Sequence, residues 1–297
     1  MKATVNALEG GVAASESNVR PRPPQYERFT RLNRALHALM IVSFIALAMT
    51  GMTLKFSYTT WAASLSRMLG GFETAGYIHR FAAVLMFGVF VIHLWDLNRQ
   101  RKTDHGGSLL KLILGPGSLM FNKRDLQELV GTMKWFVGAG PRPRYGRWTY
   151  WEKFDYFAVF WGIFVIGSTG LLLWFSEFFT RVLPGWLINV ATIIHSDEAL
   201  LATGFIFTVH FFNTHLRPEK FPMDTVIFTG RMPVAEFKRD KPAEYEAMVA
   251  QGKFEENLVE AYQPVVIRTI RAFAWMALAL GTLIVLWIIY AMVFAYR

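Results

Sequence analysis

The chain has 297 residues, 53% of them hydrophobic, with 26 Phe, 10 Trp and no cysteine. That apolar share exceeds the usual soluble range and is gathered into blocks, while the missing cysteines exclude disulfides, thiolate-held iron–sulfur clusters, cysteine zinc sites and thioether-attached haem. A formal charge of +9 would suit nucleic acid or anionic lipid. No basic stripe with interleaved aromatics lies outside the apolar blocks, so no nucleic-acid partner is expected, and the excess Lys and Arg read as the loop charges of a membrane protein.

The predicted elements follow in chain order. Residues 1–34 are polar, include Arg20-Pro-Arg-Pro-Pro24, and lack the apolar core of a signal peptide; they read as a loose cytoplasmic tail ahead of an uncleaved anchor. Five later blocks are long and apolar enough to cross a bilayer as helices, which takes about 20 residues each. They lie near 35–55, 75–97, 154–175, 184–215 and 272–297. The fourth is the longest and has polar residues at its start, so its first turns are expected to emerge from the bilayer. Between the second and third blocks stand Gly115-Pro-Gly117 and an amphipathic run around Asp125–Phe136, expected on the membrane surface. Between the fourth and fifth, 216–271 is polar, and its acid–base mixture from Glu236 to Glu260 reads as helical and solvated. Neither stretch carries a phosphate loop or a nucleophile motif, and no catalytic residue is assigned. The expected fold is an all-α membrane bundle, with a four-helix core over 35–215 and a fifth transmembrane helix.

Basic residues alternate between the connections. Six Lys/Arg precede the first block, ten lie from Arg99 to Arg147 and nine from Arg217 to Arg271, against Lys55 and Arg67 in one remaining connection and Arg181 in the other. The positive-inside rule therefore places the N-terminus in the cytoplasm and the C-terminus outside, in the periplasm of a bacterial cytoplasmic membrane.

Six of the seven histidines, His37, His79, His93, His195, His210 and His215, lie in or at the ends of these blocks; His105 is a loop residue. Polar ionisable side chains are costly in a bilayer and usually functional there. His79 and His93 are 14 apart, about 40° around a helix and roughly 21 Å along it; His195 and His210 are 15 apart, about 60° and roughly 22 Å. The second and fourth blocks run in the same direction, so first faces first and second faces second. Imidazoles on facing helices can clamp a porphyrin iron from both sides. Two clamps at this separation suit electron transfer across the membrane through haem b. One pair lies near the outer face, His79 with His195. Four candidates, His37, His93, His210 and His215, lie near the cytoplasmic face, so two haems or three are open. Arg34, Arg80 and Arg217 stand beside these histidines as partners for haem propionates, or as ordinary interface anchors. Gly88, Gly162, Gly167, Gly170 and Gly204 can admit a porphyrin edge or close helix packing. Asp197 and Glu198 sit at the water boundary, or take protons when a quinone reacts.

The run Arg28-Phe-Thr-Arg-Leu-Asn-Arg-Ala-Leu-His37 leading into Thr50-Gly51, Ile78-His79, and the fourth-block pair followed by Phe228-Thr-Gly-Arg231 resemble the gamma (cytochrome b) subunits of membrane formate dehydrogenases and thiosulfate reductases. The likeness covers the first four blocks and the segment after them. It implies two b haems, His79 with His195 holding the periplasmic one and His37 with His210 the cytoplasmic one, and a quinone reacting beside the latter. Three departures stand out. The family has 14 residues between the fourth-helix ligands against 15 here, lacks counterparts of His93 and His215, and has no fifth span. Paired histidines on the second and fourth helices are instead similar to cytochrome b of the bc complexes, which keeps a third haem on His93 and His215 open. The function expected is electron transfer between a membrane quinone, menaquinone or ubiquinone, and a periplasmic redox subunit, either a multihaem cytochrome c or an iron–sulfur or molybdoenzyme subunit. A histidine-lined transporter or proton channel and a passive membrane anchor are the rivals.

Overall fold

The computed structural model describes residues 23–115 and 117–295. The first 22 residues of the predicted tail, Pro116 of the Gly115-Pro-Gly117 turn and the last two residues lie outside the described residues. Among the described residues, five helices are long and apolar enough to cross a membrane: Arg31–Lys55, Phe72–Thr103, Tyr150–Trp174, Trp186–Leu216 and Pro264–Phe294. They are called the first to fifth spans here.

Caps set the span starts more than hydrophobicity does. Thr30 accepts from the Asn33 amide, and the Asn33 side chain returns to the Thr30 amide, so the first span opens at Arg31. Thr149 and Glu152 form the same reciprocal box ahead of Tyr150. Each box satisfies amides that a helix start otherwise leaves bare. The second span continues past Leu97 to Thr103, carried by Asp96, which accepts from Arg99 and Gln100 one turn on. The fifth opens at Pro264, whose fixed φ suits a first turn, well before residue 272 where continuous hydrophobicity begins. The second span, at 32 residues, narrowly exceeds the 31-residue fourth.

The first span packs along the second, the third along the fourth, and the fourth also touches the first and fifth. Where the first, fourth and fifth meet, Met52, Phe56, Phe207 and Ile284 form a buried cluster. Gly281 is what lets the fifth span approach, because a methyl group there would collide with the rings of Phe207 and Phe211. Facing outward, Val42, Phe81, Val91, Phe164, Leu201 and Leu286 are exposed along the spans, as lipid-facing positions are.

One end of the bundle carries a small folded unit, called the basic end because the Lys/Arg-rich connections gather there. Its sheet has the strand order β2-β1-β3, with β1 Gln25–Glu27, β2 Arg231–Pro233 and β3 Leu258–Val259, all antiparallel. The predicted loose tail is thus, over Gln25–Glu27, the central strand of a sheet. The cause is local: Tyr26 is buried and stacks on Phe237 at 4.2 Å and on Phe254 at 5.9 Å. Gly230, at φ +75°, turns its carbonyl to accept from the Arg28 and Phe29 amides at 2.7 and 3.2 Å. The stretch predicted as solvated helix, Glu236 to Glu260, is likewise part of this core, through helices Val234–Asp240 and Pro242–Ala250 and strand β3. Glu152, in the first turn of the third span, receives Arg28 at 3.2 Å and Lys241 at 2.5 Å, which locks the unit onto the bundle.

Lys220 is the second lock. Its buried ammonium meets Asp224 at 3.0 Å, Asp240 at 3.3 Å and Glu236. Burial alone would lower its pKa, but the three carboxylates outweigh burial and hold it above 10.5. Burial would raise Asp240, but Arg239 and Lys220 hold it below 3.8. A raised cation stabilises below its unfolded pKa and loses that contribution as pH rises through the folded value; a depressed acid stabilises above its unfolded pKa and loses it as pH falls through the folded value. The cluster therefore stabilises fully across neutral pH and fails at both extremes. Hydrogen exchange of Val234–Asp240, corrected for intrinsic rate, should be level across neutral pH and quicken below pH 3.8 and above pH 10.5. Lys220→Met leaves buried carboxylates uncompensated at a cost of about 3 kcal/mol, and should speed that exchange on the order of 100-fold at pH 7.

Candidate functional site

A cavity of about 1350 Å³ runs through the bundle from His79 and His195 at one end to His37, His210 and His215 at the other, and on to Arg28, Glu152 and Lys241 at the basic end. Its wall is mainly apolar, from Phe44, Phe87, Phe157 and Trp161 among others.

His79 and His195 face each other with ring centres 6.2 Å apart and planes at 76°. Both are held by Nδ1. The Thr50 hydroxyl donates to the Ala46 carbonyl at 2.6 Å, so toward His79 Nδ1, 2.9 Å away, it acts as acceptor. His195 Nδ1 lies 2.9 Å from the Ile166 carbonyl, which can only accept. Each Nδ1 therefore carries the proton, and each Nε2 keeps its lone pair. Ile166 belongs to a π-helical turn, Ile163–Gly167, within the third span; wide turns of this kind free a carbonyl from the helix ladder, and they recur at functional sites. Gly51 and Gly170 make room for the two rings, since a Cβ would lie 3.3 Å from His79 Cε1 and 2.9 Å from His195 Cε1 respectively.

At the basic end, His210 Nδ1 donates to Asp155 Oδ2 at 3.0 Å and His215 Nδ1 to the Pro222 carbonyl at 2.8 Å, which again leaves Nε2 bare on each. His37 lines the same part of the cavity, close enough to His210 for a charge on one to act on the other, with its ring edge-on to Phe228. His93 differs. Its Nε2 is the nitrogen engaged, with the Tyr156 hydroxyl at 2.9 Å, and it does not line the cavity. The structure does not bring His93 and His215 together; His215 packs instead on Phe211, ring centres 4.5 Å apart.

The fifteen-residue step from His195 to His210 also has a structural reason. A π-helical turn, Ile206–His210, lies between them. Such a turn takes up one residue more than an α-turn, so His210 keeps the face that a fourteen-residue step would give it.

The arginines divide. Arg80 lines the cavity against the rings of Tyr77 and Trp174, and Arg217 lines it over Trp151. Arg34 does not: its Nε donates to the Phe228 carbonyl at 2.7 Å, so it fastens the Phe228–Arg231 stretch to the first span. Arg28 occupies the cavity mouth instead, buried, with its Nη1 lacking a partner among the described residues. Asp197 pairs with Lys55 at 2.7 Å and is half-exposed, whereas Glu198 lines the cavity and accepts from Trp161 at 3.4 Å. Of the glycines, Gly170 abuts His195 and Gly167 abuts Phe87, while a Cβ at Gly88 or Gly204 would meet open space. Sequence reasoning passed over Thr50 and Asp155 as holders of ligand rings. Asp155 had a signal, being an acid inside an apolar span; the Ile166 carbonyl had none, because freeing it depends on backbone geometry.

These residues suit a bis-imidazole haem site. Two imidazoles sharing one metal, each bonded at roughly 2.0 Å, place their ring centres about 6 Å apart, and His79 and His195 stand at 6.2 Å with bare nitrogens available. Among the described residues no group of three or more His, Cys, Asp or Glu gathers around a point. The donors are paired, as axial ligation of a macrocycle requires.

A family model described as prokaryotic cytochrome b561 matches residues 12–97, which include His37, His79 and His93. The chain is also similar to the protein named F420 non-reducing hydrogenase II cytochrome subunit of Methanosarcina mazei, with 24% identity over 254 residues, 80% of this chain and 86% of the relative. These matches support a membrane cytochrome b at work in electron transfer, and the b561 likeness implies b-type haem.

The ring-holding groups give a test. Thr50→Val removes the acceptor for His79 Nδ1, and Gly170→Ala pushes on His195, although Ala for Gly ordinarily favours a helix by about 1 kcal/mol. Each should weaken haem binding at the His79–His195 site on the order of tenfold, as loss of an orienting partner does. Haem titration of the apoprotein, read by absorbance, checks it.

Proposed function

We propose that the chain is the haem b membrane subunit of a redox complex, passing electrons between a quinone in the bilayer and a redox subunit on the periplasmic side. The observation that carries this reading is the His79–His195 pair, two cavity-lining imidazoles with ring centres 6.2 Å apart, each held through Nδ1 so that Nε2 is left for a metal.

Two haems are proposed, one held by His79 and His195, the other by His37 and His210. Bound there, haem b supplies reversible one-electron chemistry. The rest falls to the chain. Thr50 and His37 lie on one rigid helix thirteen residues apart, which spaces the two sites by about 20 Å. The Ile166 carbonyl and Asp155 hold the rings of His195 and His210, and the apolar walls keep water from the sites. His93 is not proposed as a ligand, because Tyr156 occupies the nitrogen that would bind iron. His215, with Nε2 bare, is the alternative partner of His37.

The quinone is proposed at the basic end, where the cavity continues from His37 and His210 to Lys241, a group able to exchange a proton, beside its partner Glu152. Lysine 241 is pushed down to about 8 by burial, against the pull of Glu152, so it can change charge near neutral pH. The positive-inside rule puts this end in the cytoplasm of a bacterial cell and the His79–His195 site near the periplasm. The relative's name makes a hydrogenase one class of partner, beside a multihaem cytochrome c and an iron–sulfur or molybdoenzyme subunit.

A pyridine haemochrome assay should give two b haems per polypeptide. His79→Ala, His195→Ala, His37→Ala and His210→Ala should each leave one, and His93→Ala should keep both. Three haems, or loss of one in His93→Ala, would refute the pairing. Colourless protein after haem-sufficient expression would point instead to a transporter or an anchor.

A further inference from the structure

The helix Lys123–Phe136 presents its side chains in an order opposite to that of a helix packed on a soluble core. Its buried residues are polar: Asp125, Glu128 and Thr132. Its apolar residues are exposed, with Leu126 at 64%, Met133 at 61% and Phe136 at 70%, and with Leu129 and Val130 among them. At about 100° per residue, most positions fall into three arcs, with Arg124, Gly131 and the exposed Trp135 between the last and the first of them. Asp125, Glu128 and Thr132 make one. Leu126, Leu129, Val130, Met133 and Phe136 make a second, centred roughly a quarter turn away. Lys123, Gln127 and Lys134 make the third, on the side away from the bundle.

Two contacts fix the depth at which this helix sits. Lys153, in the first turn of the third span, donates to Asp125 at 2.9 Å and to the Met120 carbonyl at 3.1 Å. Phe121, just before the helix, packs on Phe157 a further turn into that span, ring centres 6.2 Å apart. The polar arc is tied at both ends, since Thr132 also bonds to Tyr145 at 2.7 Å, whose ring meets Trp151 of the third span with centres 5.0 Å apart. The exposed apolar arc therefore lies level with the boundary where the lipid-facing surface of the third span begins. Leu109, Leu110 and Leu114 of the short helix Leu109–Leu114, which follows the second span, are exposed as well.

We infer that Lys123–Phe136 lies in the plane of the membrane interface at the basic end, its apolar arc in the acyl boundary and its Lys123–Lys134 arc on anionic lipid headgroups. A bundle-facing arc, an apolar arc a quarter turn from it and a basic arc beyond are what such a helix needs when it lies flat beside a transmembrane bundle. Packing on the bundle alone would leave the second arc in water, and a soluble partner would have to compete with lipid at that depth. The lipid belt of the third span continues directly into this arc, and the cations along its rim complement anionic headgroups. One consequence is that Arg142, Tyr145 and Trp148, which follow the helix and line the cavity, are held against the bilayer surface.

The natural chain has no cysteine, so single nitroxide labels can be placed without a background. The full-length protein would be labelled at Met133→Cys, Val130→Cys or Gln127→Cys and reconstituted in nanodiscs of phosphatidylcholine, with or without an equal part of phosphatidylglycerol. Labels at 133 and 130 should collide with dissolved oxygen several-fold more often than with a water-soluble nickel chelate, and the label at 127 should show the reverse. Phosphatidylglycerol should deepen the 133 label, and Lys123→Gln with Lys134→Gln should abolish that deepening. Ready collision of the 133 label with nickel would mean a bare solvent face. Exclusion of both reagents would mean cover by a second copy or a partner subunit. No response to phosphatidylglycerol would remove the headgroup contact. Each of these three results overturns the inference as stated.

Discussion

The site rests on where each imidazole proton sits. A neutral histidine has one N–H and one lone pair, and which nitrogen bears which is decided by the partner of Nδ1. At His79 a threonine hydroxyl already committed to the Ala46 carbonyl has only acceptor capacity left; at His195 and His215 the partners are carbonyls; at His210 it is the Asp155 carboxylate. All four rings present Nε2 as a donor to something else. His93 is the exception that separates a ligand from a hydrogen-bonded bystander, because its Nε2 is the nitrogen in use. His79 and His195 stand with ring centres 6.2 Å apart, about the separation of two imidazoles that share one metal.

Much of this was legible in the sequence, and the part that was not has a physical boundary. Hydrophobic runs with histidines spaced for two depths place the spans and single out His79 and His195, because both signals are local and periodic. His93 shares that spacing and His215 stands five residues past His210, and spacing cannot tell which ring nitrogen a neighbour takes. Arg34, one turn before His37, has the position of a propionate partner but spends its guanidinium on the Phe228 carbonyl. That contact joins residues 194 apart, and no window along the chain reveals it. The polar stretch after the fourth span misleads for the same reason. Its mixed charges look like a solvated surface until Lys220, Asp224, Glu236 and Asp240 are seen to satisfy one another.

Irregular helix geometry does as much here as regular helix. The turn at Ile163–Gly167 brings the Ile166 carbonyl within reach of His195, and the turn at Ile206–His210 takes up the extra residue before His210. In a bilayer, unwinding a helix is tolerated where the freed backbone groups find partners inside the protein. Both departures lie beside the cavity, in the two spans that hold these rings. The comparisons with a b561 family model and a hydrogenase cytochrome subunit agree with the coarse reading, a membrane cytochrome b.

The sheet at the basic end sets a constraint on how the chain is made. Its middle strand, Gln25–Glu27, pairs with Arg231–Pro233 and Leu258–Val259, so the strand leaves the ribosome long before either neighbour exists. During synthesis the first span can enter the bilayer, but the residues that anchor its start wait until four spans and most of the following segment have emerged. The start of the first span, with His37 ten residues past that strand, is thus tied down only after the later segments are made, although it is made first.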